Sequence, residues 1–426
     1  MSHSRRRFLK TTASGTLLGS LVATGCLPGS ATGAGPTSSH YAALDAALAR
    51  PVLRRTWFKE PLLIESIDLL HHEGSFLCRV RTREGAEGLC VSNNYQMQYL
   101  YPIFLKRIAP FFVGKDARDW EALQEEVYVY KSNYKLQNLA LWVPLATLEF
   151  AILDLLGQVA GQPMGALLGE IHHPQIAVYQ ANNFRGKSAE ESIARIEQQV
   201  QESQAQALKF KVGGRMSHNR DDPPGRSEQL IPLVRERFPE LTIYADANGS
   251  YDTTEAIRIG QLMQAHEFDF YEEPVPFDWY QETLAVNQAL RIPIAGGEQE
   301  PSLRNFRWLI ANDALDIVQP DIFYFGGMVR SMRVARMAEA VGKPCIPHIS
   351  GSGLGYLYMM HFVSALPNAG PYHEFKGFAP DIPMHCPTAD LQVKGGTIQV
   401  PTGPGLGVEL DPAFVARHQP IADLNG

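Results

Sequence analysis

The stretch from Ala207 to Glu298 decides how this chain folds. It holds four short apolar runs, each closed by a charged residue: Ala207-Leu208-Lys209-Phe210-Lys211, Thr242-Ile243-Tyr244-Ala245-Asp246, Asp269-Phe270-Tyr271-Glu272-Glu273-Pro274 and Ile294-Ala295-Gly296-Gly297-Glu298. Helix-length segments separate them, and strands alternating with helices specify a parallel sheet. The rhythm continues outward on both sides, with further candidate strands at 176–179, 317–319, 345–348 and 372–374. Eight strands within about 200 residues predict a (β/α)8-type barrel. A doubly wound sheet is the competing architecture, and the absence of a GxGxxG turn after any strand weakens it.

Upstream the pattern differs. Residues 62–70, 75–82 and 85–91 alternate like strands, the first two joined by His71-His72-Glu73-Gly74. Residues 95–112, 117–134 and 144–159 have helical periodicity, with Pro144 suited to a first helical turn, and 38–55 reads as a short helix. Strands followed by helices predict a small α+β domain ahead of the barrel. From Pro380 onward the chain is rich in Pro and Gly and carries no further βα unit.

Composition narrows the function classes. The 426 residues are 45% hydrophobic and 19% charged, enough to bury a sizeable core, and the net charge of −7 gives no support to nucleic-acid binding. No uninterrupted apolar run reaches the length of a membrane span. Cys26, Cys78, Cys90, Cys345 and Cys386 lie far apart in sequence, a spacing that supports neither a disulfide scaffold nor a structural zinc site. The first 35 residues stand apart. Ser4-Arg5-Arg6-Arg7-Phe8-Leu9-Lys10 precedes a weakly apolar run at 17–27, an order similar to a twin-arginine export signal. An exported, periplasmic or extracytoplasmic location is expected. Ala23-Thr24-Gly25-Cys26 resembles a weak lipoprotein box, which makes Cys26 a candidate lipid anchor, while the small residues up to Ala34 suit an ordinary signal peptidase.

In such a barrel, functional groups project from the C-terminal ends of the strands. Lys209 and Lys211 are two apart and share a strand face, leaving Phe210 for the helices. Two inward ammonium groups make sense beside anions, or with one pKa lowered to serve as a base. Asp246, the Glu272-Glu273 pair and Glu298 place a carboxylate on each of three successive strands, 26 residues apart from Asp246 to Glu272 and again to Glu298. Three carboxylates in a dry pocket require a cation, and hard oxygen ligands suit Mg²⁺. Glu272 and Glu273 point opposite ways, so one of them is the ligand. Asp321, in Gln319-Pro320-Asp321, is placed to orient His348, in Pro347-His348-Ile349-Ser350, and raise its basicity. Glu374 closes the eighth strand, where it either hydrogen-bonds a substrate oxygen or caps the barrel.

This ordered set resembles the enolase superfamily, in particular its mandelate racemase subgroup. The resemblance runs from about Ile64 to Gly407 and rests on Lys209-x-Lys211, Asp246-x-Asn248, Glu272-Glu273-Pro274, Gly297-Glu298, Gln319-Pro320-Asp321, Pro347-His348 and Glu374. With the export-type segment 1–35 set apart, it implies an α+β capping domain at 36–175, a modified (β/α)7β barrel at 176–379, and a segment at 380–426 that returns to complete the cap. It implies one Mg²⁺ per active site on Asp246, Glu272 and Glu298. Lys211 and the His348–Asp321 dyad become the two acid/base groups. Lys209 neutralises the substrate carboxylate, Glu374 hydrogen-bonds the enediolate, and Asn248 joins the substrate site. The implied reaction is abstraction of the α-proton of a carboxylate through an enediolate.

The expected outcome is dehydration of a sugar acid to a 2-keto-3-deoxy acid. Racemisation, epimerisation or lactone cycloisomerisation would use the same residues. A non-catalytic exported carbohydrate-binding protein is the alternative from another class, and an intact set of acids and bases argues against it. The partners expected are an acid sugar or other α-hydroxy carboxylate and, because the first cap turn is too short to cover a substrate, further copies of the chain in a homo-oligomer. Specificity is sought instead at 85–95, in the early helices, or in a neighbouring subunit, and the polar stretch Asp221-Asp222-Pro223-Pro224-Gly225-Arg226 reads as a substrate loop or a surface excursion.

Overall fold

A computed structural model describes residues 38–350, 354–376 and 382–421. The export-type segment 1–35 and Cys26 lie outside the described residues.

The cap is built on an antiparallel sheet of β1 (Ile64–His72), β2 (Ser75–Thr82) and β3 (Glu87–Val91). β1 runs two residues further than its alternation suggested, so the connection shrinks to Glu73-Gly74, both with positive φ (45° and 82°) as a tight hairpin demands. On the other edge of β1, Leu70 and His71 pair with the two-residue strand Gln419–Pro420 from the far end of the chain. Cys78 and Cys90, distant in sequence, stand directly opposite each other across β2 and β3. Both thiols are buried and free, and burial pushes their pKa values up.

Three predicted helices change at their ends. The expected 95–112 helix is three pieces: Asn94–Ile103, a π-turn at Phe104–Ile108, and Ala109–Phe112. Pro110 has no N–H for the carbonyl four residues back, and the wider turn falls just before it. The expected 117–134 helix ends at Val129, where left-handed backbone at Lys131 and Ser132 breaks the ladder. Pro144 is not in a first turn. The helix spans Leu139–Ala160, with Pro144 buried inside it. This 22-residue helix is apolar and long enough to cross a membrane, but its side chains form the core between cap sheet and barrel. It crosses β3 at Gly88, where a Cβ would lie 2.1 Å from the Ala151 carbonyl oxygen, so only glycine fits.

The barrel strands are β4 (Gln175–Ala181), β5 (Ala207–Lys211), β6 (Thr242–Asp246), β7 (Phe270–Glu272), β8 (Ile294–Gly296), β9 (Ile317–Val318) and β10 (His373–Phe375). Neighbours from β4 to β9 pair in parallel, and β10 pairs with β4. The seventh position, expected as a strand at 345–348, makes only isolated bridges: Cys345 to Val318 and Ala369, and His348 to Asp321. Pro344 just before it and Pro347 within it lack N–H donors, which limits the ladder. Inward residues Tyr179, Ala207, Tyr244, Phe270, Ala295 and Ile317 fill the barrel floor, with Tyr244 and Phe270 stacked at 3.8 Å. Outward residues Leu208, Phe210, Ile243, Ala245 and Tyr271 pack against the helices. The helix Ser38–Leu48 lies against the barrel helices Leu303–Ala311 and Met328–Glu339, with Asp45 bound to Arg307 at 2.6 and 2.7 Å.

Buried polar side chains lock cap to barrel. Asp154 accepts from Leu89 N of β3 (2.8 Å) and from Leu406 N of the C-terminal segment (2.7 Å), and burial pushes its pKa up to about 6. The Tyr358 hydroxyl accepts from Val91 N at 3.1 Å, so the outward amides of Leu89 and Val91 on this sheet edge are both satisfied. Glu149 accepts from Trp120 Nε1 (2.6 Å) and from Val329 N at the start of a barrel helix (3.0 Å).

His361, fully buried, contacts the Leu406 carbonyl through Nε2 at 2.9 Å, and burial lowers its pKa to about 4. The unfolded chain binds this proton near the ordinary value of about 6.5. The imidazole therefore contributes stability that is complete above that value and is lost as pH falls towards about 4. His361→Gln is expected to flatten the acid side of the stability curve by up to about 1.4 kcal/mol per pH unit. Urea unfolding of both proteins across that window measures the difference in slope.

Candidate active site

Strand register assembles the site. Lys211 on β5, Asp246 on β6 and Glu272 on β7 are successive Cα partners, so their side chains emerge at one level of the barrel mouth. Lys209, one inward position below, sends its Nζ up to both oxygens of Glu272, at 2.8 and 2.7 Å, and over the Tyr179 ring. Lys211 Nζ binds Asp246 Oδ2. The two lysines thus stand beside anions, and each is buried.

Asp246, Glu272 and Glu298 offer one oxygen each within 4.8 Å of one another, all buried, a group that could hold a metal ion. Glu298 sits two residues past β8, after Gly297, whose φ of 110° turns the chain there. Asp246 also accepts from Asn248 N (2.7 Å) and Asn248 Nδ2 (3.2 Å), and Glu272 from Gln319 Nε2 (2.8 Å). Burial and the neighbouring Asp246 charge push Glu272 up to about 8; burial also acts on Asp246, but Lys211 and Lys209 outweigh it and hold that carboxyl low. Glu298 Oε2 and Asn248 Oδ1 are buried with no hydrogen-bond partner among the described residues. Crowded carboxylates with an unused buried oxygen fit a hard divalent cation. Glu273, with a left-handed φ of 39°, turns aside from the three and buries its own Oε1 with no hydrogen bond among the described residues.

Across the barrel, His348 Nδ1 donates to Asp321 Oδ2 at 2.7 Å, which directs Nε2 into the site. Nε2 lies 3.4 Å from Glu298 Oε2 and 3.8 Å from Glu374 Oε2. Burial opposes a charge on this ring, but Glu298, Glu374 and Asp321 outweigh it and push its pKa up to about 9. Glu374 is itself held at 2.6 Å by Lys376. Burial raises the Glu374 carboxyl, and Lys376, Lys209 and His348 more than reverse that.

All nine sequence-selected side chains, Lys209, Lys211, Asp246, Asn248, Glu272, Glu298, Asp321, His348 and Glu374, therefore lie at this one mouth. Residues 191–414, more than half of the chain, match the family described as enolase C-terminal domain-like. The chain belongs to the enolase superfamily. It is 25% identical over 329 residues to arabinonate dehydratase of Saccharolobus solfataricus, covering 77% of this chain and 86% of that protein. It is 25% identical over 312 residues to D-galactarolactone cycloisomerase of Agrobacterium fabrum, covering 71% and 80%. A solved structure from Roseobacter denitrificans, provisionally described as a racemase, superposes with a TM-score of 0.78 at 32% identity, covering 84% of this chain and 98% of that one.

In this enolase-superfamily enzyme two further side chains, given no role from the sequence, contact the site: Gln319 through Glu272 and Lys376 through Glu374. Gln319 and Lys376 were both readable, Gln319 as part of Gln319-Pro320-Asp321 and Lys376 as the same-face neighbour of Glu374. The polar stretch at 221–226 resolves as an anchor beneath the site. Asp221 accepts from Ser227 Oγ (2.9 Å), Ser227 Oγ accepts from Gly213 N (2.8 Å), and buried Arg226 donates to the Lys211 carbonyl (2.7 Å).

Proposed function

We propose that the enzyme dehydrates a sugar acid, removing the α-proton of a carboxylate substrate and then its β-hydroxyl. The observation that carries this reading is the pair of proton-transfer groups, Lys211 on the second strand and His348 at the seventh position, flanking one carboxylate cluster. Mg²⁺ is the expected ion, with Asp246, Glu272 and Glu298 as its holders. When bound, it supplies Lewis-acid stabilisation of the negative charge that develops on the substrate carboxylate.

The chain's own groups do the rest. Lys211, as the free amine, takes the α-proton at Nζ while the C–H pair moves toward the carboxylate. Lys209, kept protonated by Glu272, adds positive charge near that carboxylate. His348 donates the Nε2 proton to the departing β-hydroxyl, so that the C–O bond breaks and water leaves. Asp321 holds Nδ1 throughout and stabilises the ring's orientation. The enol product tautomerises to a 2-keto-3-deoxy acid. Glu374, 3.8 Å from Nε2, is placed to accept from a substrate hydroxyl or the enolic proton.

Epimerisation or lactone isomerisation is the second reading. It is favoured by the same two groups on opposite sides, and by the likeness to a lactone cycloisomerase. A panel of aldonic and aldaric acids, incubated with Mg²⁺ in D₂O, separates the outcomes. A 2-keto product supports dehydration. An epimer carrying deuterium at Cα, or an isomerised lactone, formed without any 2-keto product supports the second reading. No exchange and no product with any acid overturns both.

A further inference from the structure

We infer that Ser350 and Asn93 are positioning residues for the His348–Asp321 pair, through which the first turn of a cap helix sets the orientation of the imidazole. The inference rests on the reading of His348 as a proton-transfer group. Asp321 Oδ2 is given to His348. Its other oxygen, Oδ1, accepts three donors: Phe323 N and Tyr324 N at 2.8 Å each, and Ser350 Oγ at 2.9 Å. With its one proton spent on Asp321, Ser350 Oγ accepts from Asn93 Nδ2 at 3.1 Å. The Asn93 amide oxygen accepts from Gln96 N at 3.2 Å, as the N-cap of the helix Asn94–Ile103.

Each proton in this chain has one direction, from cap to Ser350 to Asp321. Asn93, Ser350 and Asp321 are all buried, where hydrogen bonds polarise one another and a lost partner is costly. The same helical turn is tied on both sides. Asn94 Oδ1 accepts from Phe76 N of β2 at 2.8 Å, and Gln96 Nε2 reaches the Tyr324 hydroxyl at 3.4 Å. The cap sheet, the helix start and the dyad thus form one connected network. Without the Ser350 hydroxyl, Asp321 loses a side-chain tether. Without the Asn93 amide, Ser350 is free to turn away.

The test needs no substrate, so its failure is separable from failure of the proposed reaction. The full-length Mg²⁺-loaded protein is labelled with ¹⁵N-histidine, and the His348 Nδ1–H signal is identified by its loss in His348→Asn. Wild type is expected to show this proton in slow exchange with water. Ser350→Ala is expected to lose the slow signal, and Ser350→Thr, which keeps a hydroxyl, to retain it. Asn93→Ser preserves the helix cap but cannot reach Ser350, and is expected to lose the signal as well. The buried His361 and His373 serve as internal controls. Loss at His348 with both controls intact supports the inference. An unchanged His348 signal in both Ser350→Ala and Asn93→Ser, or loss of all three histidine signals together, overturns it. With a turned-over acid sugar, kcat in Ser350→Ala is expected to fall about 10- to 100-fold at unchanged KM.

Discussion

Lys211→Ala is expected to abolish both α-proton exchange and product formation, while His348→Asn abolishes only the product. The asymmetry follows from placement. Lys211 and His348 approach the same carboxylate cluster from the second and seventh barrel positions, so under the proposed mechanism each would reach a different face of the substrate. Removing the base leaves nothing to take the α-proton. Removing the imidazole leaves Lys211 able to take and return it, but the β-hydroxyl then departs without a general acid. Loss of one such group costs about 10²–10⁴-fold in rate. Proton NMR in D₂O follows both events in one tube. Exchange that survives in Lys211→Ala and vanishes in His348→Asn would reverse the roles. Near wild-type turnover in both variants would end the two-base mechanism.

Glu298→Gln should remove most Mg²⁺ affinity and all measurable turnover. The amide keeps the shape and volume but not the charge, and Glu298 Oε2 is buried with no hydrogen bond among the described residues, its nearest cationic neighbour being His348 Nε2 at 3.4 Å. Asp246 and Glu272 are each already matched by a lysine, so Glu298 contributes the charge most available to a cation. Calorimetric titration with Mg²⁺ reads the affinity directly, and unchanged binding would remove Glu298 from the ligand set. The same substitution takes away a carboxylate 3.4 Å from His348 Nε2, so the imidazole pKa is expected to move down from about 9. That second readout distinguishes a lost neighbour from a misfolded site.

Period-two alternation carried most of the site. Lys209 with Lys211 inward and Phe210 outward follows from strand geometry alone, as does convergence of acids from successive strand ends. What alternation does not carry is partnership across long separations. Ser350 meets Asn93 from 257 positions away, and Tyr358 meets Val91 from 267. Asn93-Asn94 before an apolar helix is a readable cap signal, but nothing local says what else an amide will touch. Cys78 and Cys90 make the same point, since only strand register brings them face to face. Pro144 shows the opposite limit. A positional preference worth little beside the burial of a long apolar helix was overridden by packing. Glu298 and His348 also lie beyond regular strand, because glycine and proline end the ladders before them.

The cap sheet's outer strand comes from Gln419–Pro420, and Thr397–Gln399 lies along β4 at the barrel's seam. A ribosome releases β1 to β3 more than three hundred residues before that outer strand exists. The cap sheet is therefore completed only after the barrel strands have been synthesised. Between those moments the barrel has been made, and Asp154 stands without Leu406, one of its two backbone donors. Such a chain matures late and as a whole, and a truncation before Thr397 would leave both units unfinished at once.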